Sequence, residues 1–255
     1  MLLTIDIDNK FTNFGIFDNR NLIANFKITT DKNKSTNEVK LILKLMLNDN
    51  NIYFIDINNI MISSVVPELL DIYKKVAMVI IDKNPMLISS GVKTGLNIKC
   101  ENPKDVGSDR IIRAVGANDF NNDLIIISAA SITTIDFINN KKQFLGGVIL
   151  PGIDLYAKSL NEQGAKLPQV EILKVNNVLG NTTKKSIQNG IYHAYNFAIN
   201  GIIEKILIEN KLEADKVKII LTGSFADILN IEKYNFEILE NLGLYGLQKI
   251  FEFNK

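Results

Sequence analysis

The chain has 255 residues, 46% of them hydrophobic, which is enough to fill the core of one or two compact domains. Its 29 Lys and Arg balance 28 Asp and Glu, so there is no basic excess to bind nucleic acid, and its apolar runs are too short to span a bilayer. A single cysteine, Cys100, excludes an internal disulfide and fits a reducing cytoplasm; with only one histidine besides, any bound metal would be a hard cation held by oxygens.

The first apolar run, residues 2–7, has no basic segment ahead of it and reads as a strand, not a leader peptide. Residues 13–17 and 21–28 continue as strands around the turn cluster Asp18-Asn19-Arg20-Asn21, which makes a β-meander. Val39, Ile42, Leu43, Leu45 and Met46 predict a helix over 35–48. Residues 59–66 form a buried strand that runs into a helix start at Pro67. Strands are predicted at 76–81 and 85–90.

Residues 101–117, ENPKDVGSDRIIRAVGA, hold the turn Gly107-Ser108-Asp109-Arg110 ahead of helix-spaced Ile111, Ile112 and Val115. Ser108 and Asp109 suit a helix start, where their oxygens can accept from free N–H groups. They also place an acid beside a base. Asp109 could take a proton from a hydroxyl, and Arg110 could hold a carboxylate or a phosphate.

Further strands are predicted at 123–127, 135–138 and 144–150, with a turn at 139–142, and helices at 152–161, 181–209, 225–230 and 245–252. In the long helix, Ile187, Ile191, Ala194, Tyr195, Ala198, Ile202 and Ile206 fall on one side as a core or dimer face. His193 in that helix reads as a packing residue. The second half repeats the order of the first: 125–128 matches 3–6, 130–132 matches 8–10, and 217–221 with its following turn matches 60–64. This predicts an α/β chain with two duplicated halves, 1–118 and 119–255, whose ligand lies where the first-hairpin turns face each other.

Asp6-Ile7-Asp8-Asn9 at the end of the first strand resembles the phosphate-binding hairpin of the acetate kinase, sugar kinase, heat-shock chaperone and actin superfamily. Within it, the segments 62–67, 91–96, 102–103, 107–110, 145–152, 165–168 and 181–183 occur in the order of type III pantothenate kinases, across nearly the whole chain. The resemblance implies duplicated actin-like (ribonuclease H-like) domains with mixed five-stranded sheets flanked by helices. It implies a homodimer that moves the γ-phosphate of ATP to pantothenate, the first step of coenzyme A synthesis. A divalent cation such as Mg2+ and a monovalent cation, K+ or NH4+, are implied as well.

Carried over residue by residue, the proton acceptor falls on Asp109 and the pantothenate turn on Gly107, Ser108, Asp109 and Arg110, with a further contact at Thr183. The first phosphate hairpin covers Asp6, Ile7, Asp8, Asn9, Lys10, Phe11, Thr12 and Asn13, with Asp6 as the carboxylate for the nucleotide's metal. Ser131 keeps the hydroxyl of a nucleotide contact. The departures gather on the ATP side. Asp8 and Lys10 stand where the family has Gly and Thr, and Ser128 replaces the carboxylate that would hold the monovalent cation. Ala130 replaces a glycine, Ser224 follows Thr222-Gly223 where the family has a second Gly, and Cys100 replaces an aromatic pantothenate contact. Glycine permits φ > 0 and close approach to a phosphate; Asp8 is expected to suit the turn less well and to add a like charge. Two outcomes follow. The site is rebuilt, with Asp8 supplying the lost carboxylate or the Lys10 ammonium replacing the monovalent cation, or the chain survives as a binding or regulatory accessory factor.

Overall fold

The computed structural model describes residues 1–117 and 122–255. Two compact units emerge, Met1–Asn118 with Asn241–Lys255, and Asp119–Glu240. The boundary expected at 118/119 lies outside the described residues.

In the first unit, β1 (Leu2–Ile7) pairs antiparallel with β2 (Phe11–Asp18), which pairs antiparallel with β3 (Asn21–Thr29). On its other side β1 runs parallel to β4 (Asn59–Ser64), and β4 to β5 (Met86–Leu87). The order is β3-β2-β1-β4-β5. Every residue of β1 is buried because helices cover both faces. Leu3, Ile5 and Ile7 pack with Val39, Leu43 and Leu47 of α1 (Thr36–Asp49) and with Leu69, Tyr73 and Val76 of α2 (Pro67–Ile81). The alternate residues Leu2, Thr4 and Asp6 share the opposite face, where Leu2 meets Ile112 and Val115 of α3 (Ser108–Gly116) and Leu244, Leu247 and Ile250 of α6 (Leu242–Asn254). That alternation puts a carboxylate at the end of a buried face whose other polar group, the Thr4 hydroxyl, is satisfied by the Gly15 carbonyl.

Local chemistry explains the helix ends. Ser35 and Glu38 form a capping box at α1, and Pro67 opens α2. The strand expected at 76–81 is instead the end of α2. Val76 and Ala77 continue the buried stripe begun by Leu69 and Tyr73 while Val79 is exposed, so helical packing outweighs the β propensity of a Val and Ile cluster. Asp82 stops the helix in the left-handed conformation. The strand expected at 85–90 shrinks to β5, and β6 (Asn97–Ile98) is equally short.

The last helix had been expected in the second domain. It packs on α3 instead, and glycine is the reason: a Cβ at Gly246 would lie 1.8 Å from the Ile112 carbonyl oxygen. The two helices meet backbone to backbone, and Lys249 Nζ caps the end of α3 by donating to the Gly116 carbonyl at 2.9 Å.

The second unit repeats the topology. β7 (Asp123–Ala129), β8 (Ile132–Ile138) and β9 (Gln143–Pro151) form the antiparallel meander, while β10 (Val217–Thr222) runs parallel to β7 and β11 (Phe236–Ile238) parallel to β10. Ile125, Ile127, Ile135 and Phe137 pack on α5 (Thr183–Asn210), and α4 (Ile153–Gln163) adds Ile153 and Ala157. The buried face of α5 is Ile187, Ile191, Tyr195, Ile199, Ile203 and Leu207; Ala194 is exposed, and Ile202 and Ile206 are flanking contacts. The helix expected at 225–230 is a single 3-10 turn, Ala226–Ile228. His193 packs edge-on to Tyr192 and lies 3.2 Å from the Asn177 carbonyl oxygen, in keeping with its packing role.

In the two sheets Asp6 and Ser128 hold equivalent places. Asp6 pairs with Ser63 and Asn13, and Ser128 with Thr222 and Thr134. The fold is therefore α/β, with duplicated actin-like halves. No helix among the described residues is long and apolar enough to cross a membrane.

Candidate active site

Asp6 closes β1 with its carboxylate on the α3 and α6 face and only 4% of its surface exposed. Its Oδ1 is buried without a hydrogen-bond partner. Burial pushes the carboxyl up to about 7; Arg113 opposes that rise, Asp8 and Asp109 add to it, and Ser63 opposes it weakly. An orphaned buried carboxylate oxygen suits a divalent cation. Mg2+ needs only one or two protein carboxylates when water and phosphates fill its remaining positions. Among the described residues, no group of three or more His, Cys, Asp or Glu side chains is placed to hold a metal alone.

The first hairpin turn follows. The Asp8 N–H donates to the Phe11 carbonyl at 3.0 Å, the Asp8 carbonyl accepts from Thr30 Oγ1 at 2.7 Å, and Asp8 Oδ1 accepts from the Asn9 N–H at 2.7 Å. Asp8 does not adopt a positive φ. The misfit expected from replacing the family's glycine is thus absent, because this turn asks for no left-handed residue at that position. The like charge is also answered: Arg113 Nη2 donates to Asp8 Oδ2 at 2.9 Å.

Arg113 is the group that reading the sequence missed. Its side chain is 10% exposed, and its Nη1 also donates to Asp109 Oδ2 at 2.5 Å. Burial works against the guanidinium charge, but Asp109, Asp6 and Asp8 outweigh it and drive its pKa up. The Asp109–Arg113 half was readable from the i, i+4 spacing on one helix. The Asp8 half joins residues 105 apart in the chain, and no local pattern announces it.

Asp109 lies in the first turn of α3, where the helix dipole favours a carboxylate. Gly107 is the N-cap, and a Cβ there would sit 2.6 Å from Asp109 Oδ1, so the bare glycine makes room for the acid. Neither Ser108 nor Asp109 is the cap expected of them. The Ser108 hydroxyl accepts from Ser63 Oγ at 3.0 Å and donates to the Ser64 carbonyl at 3.2 Å, tying α3 to the end of β4. Arg110 is half-buried one residue further along.

Asp6, Asp8, Ser108 and Asp109 thus gather around Arg113 and Ser63. The other hairpin residues serve the turn. Ile7 faces the α1 and α2 core, and the Thr12 and Thr30 hydroxyls lie 3.0 Å apart. Asn13 pairs with Asp6, Asn9 is exposed, and the ammonium groups of Lys10 and Lys27 lie 5.8 and 5.2 Å from the Phe11 ring centre. Arg113 sets a fixed cation among the carboxylates of Asp8 and Asp109. Cys100 is half-buried, between β6 and the 3-10 turn Pro103–Asp105.

In the second unit, Ser128 is buried and brings a hydroxyl where Asp6 brings a carboxylate. Ser131 Oγ donates to Asp154 Oδ2 at 2.9 Å, from the second hairpin turn to the first turn of α4. Thr133 and Tyr195 share a hydrogen bond at 2.6 Å, and burial pushes the Tyr195 phenol up to about 12. Thr183 is exposed at the first position of α5, where Thr182 provides the cap by accepting from the Lys185 N–H. Asp154 is a second polar group that the sequence did not single out.

A model of the type III pantothenate kinase family matches residues 2–205. The type III pantothenate kinase of Halalkalibacterium halodurans is 34% identical over 256 residues, covering all of both chains. Among solved structures, a protein from Campylobacter jejuni assigned to the Baf family of transcriptional activators matches with a TM-score of 0.61 at 20% identity, over 99% of this chain and 98% of that one. Component A of (R)-2-hydroxyglutaryl-CoA dehydratase from Acidaminococcus fermentans matches at 0.56 and 11% identity, over 100% and 99%. These two likenesses bear on the fold alone. The match along most of its length, with a relative that it covers from end to end, places the chain in the type III pantothenate kinase family.

Proposed function

We propose that the chain phosphorylates pantothenate with ATP, using Asp109 as general base. The observation that carries this reading is the carboxylate of Asp109, held by Arg113 at the start of α3 beside Gly107 and in the same cluster as Asp6. Asp109 would take the proton of the pantothenate hydroxyl as the oxygen bonds to the γ-phosphorus and the bond from that phosphorus to the β–γ bridging oxygen breaks. Gly107, Ser108, Arg110 and Thr183 would hold the substrate, with Arg110 suited to its carboxylate. Asp6 would supply one oxygen to a divalent cation, which neutralises phosphate charge when bound. The backbone of the 8–11 turn and the hydroxyl of Ser131 would face the nucleotide.

Ser128 offers a monovalent cation no charge, so we expect turnover to survive removal of potassium and ammonium. A homodimer is supported by α5, which exposes Phe197 and Ile208 three turns apart on one side. Light scattering after size exclusion should give twice the monomer mass of 28.6 kDa.

The test is ATP-dependent formation of 4'-phosphopantothenate, with and without potassium. Asp109→Asn should lower kcat by about 10²–10⁴-fold while pantothenate still binds. A chain that binds pantothenate but turns nothing over in any salt would sink the kinase reading and raise the accessory one.

A further inference from the structure

We infer that Arg113 is a positioning residue of this site: it fixes the pose of Asp109 and, through Asp8, ties the first hairpin turn to the substrate helix. The inference rests on the kinase reading. Its basis is one buried guanidinium with two carboxylate partners drawn from different elements. Nη1 reaches Asp109 on α3, and Nη2 reaches Asp8 in the turn between β1 and β2. The two carboxylates are 16% and 27% exposed and the arginine side chain 10%, so the cation lies behind the acids and not in front of them. Arg113 takes Oδ2 of Asp109, while Oδ1 is turned toward Gly107. The oxygen on the substrate-turn side is therefore oriented by a contact made on the other.

Charge alone does not explain the arrangement. A planar fork can give each carboxylate its own N–H at a fixed angle, whereas an ammonium is a single point on a flexible stem. A displacement of Asp8 moves the guanidinium, and with it the base. Asp8 and Arg113 then act as one device linking the nucleotide hairpin to the proton acceptor, with Asp8 the part contributed by the hairpin.

The test measures kcat and both KM values in Arg113→Gln, Arg113→Lys and Asp8→Asn, each checked for a folded melt. In Arg113→Gln we expect kcat to fall about 100-fold and the KM for ATP to rise about five-fold, with the KM for pantothenate changed less than three-fold. Arg113→Lys keeps the charge but not the fork and should recover less than a tenth of the wild-type kcat. It carries the test alone if the Gln variant does not fold. Asp8→Asn should lower kcat about ten-fold in the wild-type background and add little in Arg113→Gln, because the two residues share one path. A full kcat in Arg113→Lys, or losses in Asp8→Asn and Arg113→Gln that simply multiply, would overturn the inference. If the wild type shows no turnover, the kinase reading fails first. The link is then judged by calorimetry with Mg-ATP: binding weakened about five-fold in Arg113→Lys sustains it, and unchanged binding overturns it.

Discussion

The two first hairpins of this chain share a topology and differ in chemistry. In the first unit the end of β1 carries Asp6, and the following turn carries Asp8, answered by Arg113. In the second, the equivalent end of β7 carries Ser128, and the turn carries Ser131, answered by Asp154 from α4. One hairpin concentrates charge and compensates it with a buried cation. The other presents a neutral hydroxyl at the equivalent place. Backbone register survives duplication because a one-residue slip would turn every buried side chain outward. A side chain at a strand end has no such protection, and there the two halves have parted.

Three measurements would break or sharpen that contrast, beyond those already given. The largest effect is expected at Asp6. Its folded pKa of about 7 lies above its ordinary value of 3.8, so the folded state binds the proton more tightly than the unfolded one. Its contribution to stability is full below about pH 4 and is lost as pH rises through 7, with an upper bound of about 4 kcal/mol. Denaturant titrations from pH 4 to 8 without divalent cations should show this decline, and Asp6→Asn should flatten it. An unchanged slope in the variant would mean that Asp6 is ionised at little cost.

Next comes Ser128→Asp, which returns a carboxylate to the second hairpin. The position is 2% exposed, and a carboxylate buried there without a compensating cation should cost the variant about 3 kcal/mol. Added potassium should restore part of the loss in thermal melts. A stable variant indifferent to potassium would show that the second hairpin tolerates charge as readily as the first. The smallest effect is expected for Ser131→Ala, which removes the hydrogen bond to Asp154 and should cost about 1 kcal/mol with a few-fold rise in the KM for ATP. No change in either would detach Ser131 from the nucleotide side.

Much of the architecture was legible beforehand. The apolar run at 2–7, the helical spacing from Val39 to Met46, Pro67 and the repeated order of elements announce a duplicated α/β chain, because these signals are local and act within a few turns or one strand. Residues 76–81 misled because Val and Ile favour strands, whereas the helix they belong to is decided by the core that Val76 and Ala77 reach. The last helix misled for a related reason. Its membership in the first unit depends on Gly116 and Gly246 meeting the backbone of a segment more than 120 residues away.

By itself the sequence determined the three-stranded opening of each half, the place of Asp109 at a helix start, the position of Asp6 near the end of the first strand, and the family that these belong to. Only the tertiary structure decided how the charge at Asp8 is carried. A residue that looked like damage to a glycine turn is a carboxylate in a buried bridge, because folding brings Arg113 of α3 beside it. Electrostatics at that range depends on distance and burial, and neither is written in the spacing of residues 105 positions apart.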